Sequence, residues 1–253
     1  MIDETKETGV LKEFHAVRKH AKKITALEKE RVGKGLTPWG TYGESLHTYD
    51  DVFSAVLPEG IEKFIEARKT QTGKAFVMDA MGSGGFFAGL SFDGGVALAL
   101  TQPPEEWVKS LTRKSPNVEF IDGDILSGST WAKVNDYLSR NQEKTNSGFD
   151  LIACRPFGGW LMLEPGVQPG TTAHPPRNEI QKLIINNLYK VLRSNGGTLL
   201  IELAEEYDGS KFTNKEIQKW LQQLNEQGIE TKNSWKIVRL TRTNQSPANL
   251  PIN

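Results

Sequence analysis

The sequence predicts an α/β fold with a mostly parallel sheet and helices on both faces, and three observations predict it. Short apolar runs recur at Ala75–Met78, Val96–Leu100, Val118–Ile121, Leu151–Ala153, Thr198–Leu203 and Trp235–Thr241, each of strand length. Helix-length segments alternate with them, and such alternation builds parallel sheets covered on both sides. The first run leads, through Asp79, into a turn of Gly82, Ser83, Gly84 and Gly85. Open parallel sheets bind ligands at the carboxyl ends of their strands, which is where this turn falls.

The helices follow in order. Leu11, Phe14, Val17, Ala21, Ile24 and Leu27 fall at steps of three and four, one face of a helix. Its other face is basic, with five Lys/Arg between Lys12 and Lys23, and reads as a solvated surface ahead of a phosphate-contacting one. The stretch "GKGLTPWGTYGESLHTYDD" has no period and is long for a connector, as binding segments and lids are. Trp39, Tyr42, His47 and Tyr49 in it either line a lid or anchor the loop to the core, with anchoring ahead. A boundary is expected near Val52, with residues 1–52 an N-terminal helical and loop extension and 53–253 the ligand-binding domain.

Pro58–Arg68 opens with proline and early acids, as helices do. Gly85–Leu90 is expected to start a helix whose free N–H groups face a ligand. Glu105–Leu111 carries acids in its first turn, and Trp131–Arg140 reads as a helix. Ile180, Leu183, Ile184, Leu188, Val191 and Leu192 form a helical stripe that ends at "SNGG", where glycine caps in the left-handed region. Asn214–Gln227 is the last helix.

Composition narrows the function classes. Lys+Arg and Asp+Glu are equal at 31 each in 253 residues, so no global field calls for nucleic acid or a membrane surface. The first residues lack the apolar core of a signal peptide and no apolar run spans a bilayer, so a cytoplasmic, membrane-free location is expected. One cysteine and four scattered histidines make no metal-ligand cluster. "GSGGFF" has no lysine for a phosphate loop. A dinucleotide turn fits Gly82 and Gly84 but meets Phe87 at its third glycine.

The order of features resembles the class I S-adenosylmethionine-dependent methyltransferases, from about Pro58 to Thr243. "VMDAMGSGG" is similar to the family's first motif, "VEFIDGDIL" to the segment that contacts adenine, "FDLIACRPFGGW" to the fourth strand and catalytic loop, and "LYKVLRSNGGTLLIEL" to the helix, glycine turn and fifth strand. The resemblance implies a Rossmann-like sheet of seven strands, the last antiparallel, and S-adenosyl-L-methionine as cofactor. It assigns cofactor binding to Asp79, Ala80, Met81, Gly82, Gly84, Thr101, Gln102, Asp124, Ile125 and Cys154. Asp79 stabilises the cationic end, the glycines admit the methionyl group, and Asp124, an acceptor, suits the adenine amine.

Two departures stand out. The acid that normally ends the second strand is replaced by Thr101 and Gln102, leaving neutral groups, or Glu105, for the ribose hydroxyls. The amine-gripping loop of N-methylating members reads Cys154-Arg155-Pro156-Phe157, keeping the proline and aromatic but losing the side-chain acceptor. Arg155 is then expected to meet a substrate anion or Glu164, or to form a structural ion pair. Phe157 is expected to stack on the acceptor, and His174 in the following loop is the candidate base. N-methylation of a small molecule is the first expectation. RNA or DNA as acceptor, a non-catalytic binding module, and a nicotinamide enzyme are the alternatives.

Overall fold

The computed structural model describes residues 45–82, 84–99, 105–123, 125–141, 148–155, 178–203, 215–234 and 236–251. The amphipathic segment Leu11–Leu27, with Trp39 and Tyr42, lies outside the described residues.

The chain opens with α1 (Leu46–Phe53), which Ser45 caps by accepting from the Thr48 amide, with Thr48 answering in a capping box. Tyr49 and Phe53, one turn apart, are its buried face. The boundary expected at Val52 thus falls inside this helix. In α2 (Ile61–Thr72), Ile61, Phe64, Ile65 and Arg68 share one face, and left-handed Gly73 closes the end. Asp50 of α1 accepts from the Ile61 amide at 2.7 Å, an anion at a helix start, so the two helices are joined at their ends.

There follow β1 (Phe76–Ala80), β2 (Gly94–Ala99), α3 (Glu105–Lys114), β3 (Val118–Asp122), α4 (Gly128–Arg140), β4 (Leu151–Cys154), α5 (Asn178–Lys190), β5 (Gly197–Glu202), α6 (Lys215–Glu226), β6 (Glu230–Ser234) and β7 (Ile237–Arg242). The seven strands are ordered β3-β2-β1-β4-β5-β7-β6. The first five run parallel, and β7 inserts antiparallel between β5 and β6. Seven strands with the last one antiparallel are what the resemblance implies. The strand β6 has no counterpart in the apolar runs. Its sequence ETKNS is mostly exposed, and as an edge strand paired only to β7 it shows no alternation to detect.

Each sheet face has its own core. Phe76, Met78 and Ala80 of β1 point towards Val134 and Tyr137 of α4, Ile184 and Leu188 of α5, and Trp220 and Leu224 of α6. Val77 points the opposite way, with Ala97, Ala153 and Leu200, towards Tyr49, Phe53, Ile61 and Ile65 of α1 and α2. Asp79, two residues on from Val77, shares that second face. Helices therefore cover both faces, as expected.

One expected helix is absent. Gly85–Leu90 forms only a 3-10 turn at Gly85–Phe87. Its apolar run is there because Phe86 and Phe87 are both fully buried, Phe86 stacking on Tyr49 and Phe87 meeting Phe86 and Phe92 at tilted angles. Gly89, at φ +100°, then redirects the chain into β2.

Candidate functional site

Parallel pairing brings the carboxyl ends of five strands into one row. Ala80 lies beside Leu98 on one side and Cys154 on the other; Leu98 pairs with Ile121, and Cys154 with Ile201. From β1 the chain moves outward to β2 and β3, then returns to β4 on the other side of β1. The gap between β1 and β4 is thus the switch point of the sheet, where open α/β folds place their ligands. The glycine turn leaves from β1 at that point, and Arg155 leaves from β4.

Asp79 is fully buried beneath the turn, and both its oxygens are engaged. The Tyr49 hydroxyl donates to Oδ1 at 2.9 Å and the Gly84 amide donates to Oδ2 at 2.7 Å. Charge-assisted bonds of this kind are what a buried carboxylate needs. The geometry of the turn follows from it. A Cβ at Gly82 would collide with both Asp79 oxygens. Gly84 has φ +77°, and a Cβ there would meet Leu111 Cδ2 at 2.8 Å. The absent side chains at both positions are thus demanded by the protein's own interior, on the inner side of the bend. Met81 takes the left-handed conformation at φ 64°, rare for a residue with a side chain, while its amide donates to Leu98 O at 2.7 Å. Strain of this kind collects at ligand clamps.

With no α-helix following, the turn offers no helix N-terminus to a ligand, contrary to expectation. The Phe86–Phe87 pair has drawn that segment into the core instead. The Gly84 amide serves Asp79 in place of a ligand.

On the neighbouring strands, Ile125 is buried just past β3, and its carbonyl accepts from Trp131 Nε1 at 2.8 Å. Asp124 itself, with Thr101, Gln102, Pro156, Phe157, His174 and Glu164, lies outside the described residues. The ends of β1, β2 and β3 nevertheless share one edge of the sheet, so Gly123 and Ile125, which flank Asp124, are on the same edge as Asp79.

Cys154 ends β4 fully buried in the core. Burial, and after it the charges of Asp79 and Glu202, push its thiol far above the ordinary range. It is therefore a packing residue in the thiol form, with no nucleophilic thiolate near neutral pH. As the chain has a single cysteine, folded protein at pH 8 is expected to leave an aromatic disulfide reagent such as DTNB unreacted for hours. Denatured protein should then release one equivalent at once, and rapid labelling of the native state would contradict the burial.

Arg155 Nε donates to Glu202 Oε2 at 3.1 Å, and Lys236 Nζ reaches Glu202 Oε1 at 2.8 Å. All three side chains are largely shielded, at 12%, 14% and 19% exposure. Of the three expectations for Arg155, an ion pair is the one the described residues contain, and its partner is Glu202 at the end of β5. Sequence reasoning missed Glu202 and Lys236. The only trace was an acid ending the apolar run TLLIE. Tyr49 is buried against Phe86 at 4.8 Å between ring centres, so it anchors the segment to the core. His47 faces solvent beside Asp51.

Among the described residues no cluster of His, Cys, Asp and Glu is placed to hold a metal, and no helix is long and apolar enough to cross a membrane.

The strand order with a reversed β7 makes this a Rossmann-like methyltransferase fold. No family model matches the sequence, and no curated protein sequence matches it either. Solved structures with a similar fold include an amino pentose methyltransferase from Micromonospora echinaspora bound to S-adenosylmethionine, at TM-score 0.43 and 15% identity over 79% of this chain and 93% of that one. Fibrillarin from Aeropyrum pernix, with natively bound S-adenosyl-L-methionine, gives TM-score 0.41 and 12% identity over 78% and 74%. Phosphoethanolamine N-methyltransferase 1 from Haemonchus contortus gives TM-score 0.42 and 12% identity over 92% of this chain and 51% of that one.

Proposed function

We propose that this chain is an S-adenosylmethionine-dependent methyltransferase acting on a nitrogen of a small-molecule acceptor. The observation that carries the reading is a buried, hydrogen-bonded carboxylate, Asp79, directly beneath a bend of main chain at the switch point of the sheet. A negative charge held in a low-dielectric interior projects further than one in water, and it favours a cation resting on the outer side of the bend. The cofactor fits that donor set, since its amino-acid end carries an ammonium and its reactive centre is a sulfonium.

The cofactor supplies an electrophilic methyl group, and the chain supplies position and dryness. Main chain at Met81, Gly82 and Gly84 is proposed as the floor under the amino-acid end. Ala80 and Cys154 close the core behind it. Thr101 and Gln102 are proposed for the ribose hydroxyls, and Asp124 with Ile125 for the adenine. Pro156 and Phe157 are proposed to hold the acceptor, Phe157 by stacking, with His174 as the base where the acceptor nitrogen is protonated.

A second reading is favoured by the ion pair itself. Arg155 directly follows Cys154, the position at which the N-methylating members that the chain resembles carry the side chain that accepts from the amine, and Glu202 ties it down. A non-catalytic module that binds the nucleoside and transfers nothing is compatible with that arrangement. Calorimetric titration with S-adenosylmethionine is expected to show saturable heat at micromolar to submillimolar concentration, and NADH in parallel none. Absence of heat with millimolar S-adenosylmethionine sinks the cofactor assignment. Binding without turnover across an amine panel would leave the module reading in its place.

A further inference from the structure

We propose that Tyr49 is a positioning residue of the cofactor site: its hydroxyl orients the Asp79 carboxylate, so the seating of α1 and the order of the glycine turn are one coupled unit. The part that concerns ligand affinity rests on the cofactor reading above.

The chain of contacts runs without a gap. Tyr49 is 1% exposed and lies on the face of α1 that packs over the turn. Its ring stacks on Phe86, the middle residue of the 3-10 segment, at 4.8 Å and 20°. Its hydroxyl reaches across 30 residues of sequence to Asp79 Oδ1, while Oδ2 takes the Gly84 amide. A carboxylate is planar, so an acceptor bond at each oxygen fixes its rotation about the Cβ–Cγ bond. That rotation matters here, because Gly82 leaves just enough room for the oxygens and no more. With the hydroxyl gone, one buried oxygen loses a donor and the carboxylate is held less firmly in rotation, which weakens the Gly84 bond. The ring stack alone would hold α1 in place. It would not hold the carboxylate.

The helix is itself anchored independently of Tyr49. Phe53 is fully buried, and Asp50 caps α2. Tyr49→Phe therefore removes one bond and keeps the packing, so the variant is expected to fold.

Two measurements test the coupling. In cofactor-free protein, amide exchange at Gly84 is expected to accelerate about tenfold in Tyr49→Phe, while Gly197 and Phe149 at the far end of the sheet keep their rates. Titration with S-adenosylmethionine is expected to show about tenfold weaker binding in Tyr49→Phe. It should be weaker still in Asp79→Asn, and the double variant should bind no worse than Asp79→Asn alone. A purely structural tyrosine would lower the melting temperature without this non-additivity. Unchanged Gly84 exchange overturns the proposal, as does a double variant in which the two losses simply multiply. If wild-type protein gives no heat with S-adenosylmethionine, the cofactor reading falls, and the Gly84 exchange rate still decides the role of Tyr49.

Discussion

Replacing Asp150 by Ala is expected to lower the free energy of unfolding by about 3–5 kcal/mol, the cost of leaving buried charge uncompensated. Asp150 precedes β4 at the end of the sheet away from the turn and is fully buried. Its Oδ1 is 3.2 Å from both Nε and Nη2 of Arg68, and its Oδ2 accepts from the Phe76 amide at 2.9 Å. Arg193 Nη2 approaches Oδ2 to 3.1 Å, at ion-pair distance but without the alignment of a hydrogen bond. Arg193 is 3% exposed, and among the described residues none of its guanidinium nitrogens has a hydrogen-bond partner, so Asp150 is the counter-charge that makes its burial tolerable. Burial already weakens Arg193's hold on its proton, Arg68 adds to that, and Asp150 opposes it. Without the carboxylate, two guanidinium groups share a dry site. In a protein of this size the loss corresponds to a melting temperature lower by roughly 6–20 °C. Thermal unfolding of Asp150→Ala measures it, and a fall of less than about 1 kcal/mol would mean that water enters the site and solvates both arginines. The site lies at the opposite end of the strands from the turn. Residual S-adenosylmethionine affinity in the folded fraction should then be close to that of wild type.

Gly82→Ala is the second large effect, and it strikes the turn directly. The new methyl would overlap both Asp79 oxygens, a clash that only a shift of the carboxylate or of the main chain relieves. Overpacking at a tight site costs about 1–3 kcal/mol, and here the shift also breaks the Gly84 and Tyr49 bonds. The variant is expected to melt lower by roughly 6–12 °C and to bind S-adenosylmethionine about a hundredfold more weakly. Adding Asp79→Ala removes the overlapped atoms, so the double variant should melt close to Asp79→Ala alone, and that non-additivity identifies the clash as the cause. If Gly82→Ala binds the cofactor as wild type does, the bend is not the cofactor's floor.

The parts of the fold that were legible came from apolar runs. Five parallel strands announced themselves because strands buried on both faces are nearly continuous in Val, Ile, Leu and Ala. Asn178–Lys190 announced itself by the stripe from Ile180 to Leu188. The strand β6 stayed hidden because an exposed edge needs no apolar pattern. The same signal misled at Gly85–Leu90, where two adjacent phenylalanines imitate a helical stripe while serving a turn.

The sequence by itself determined the mostly parallel sheet, through the resemblance its seven strands and reversed last strand, and the place of the glycine bend, since these follow from local hydrophobic period and from motif order along the chain. Tertiary structure alone decided what each charge and each glycine is for. Asp79 meets Tyr49 across 30 positions, Arg155 meets Glu202 across 47, and Arg68 meets Asp150 across 82. The reason is physical. A buried charge is stabilised by whichever partner the packed chain brings within about 3 Å, and no periodicity along the chain encodes that distance.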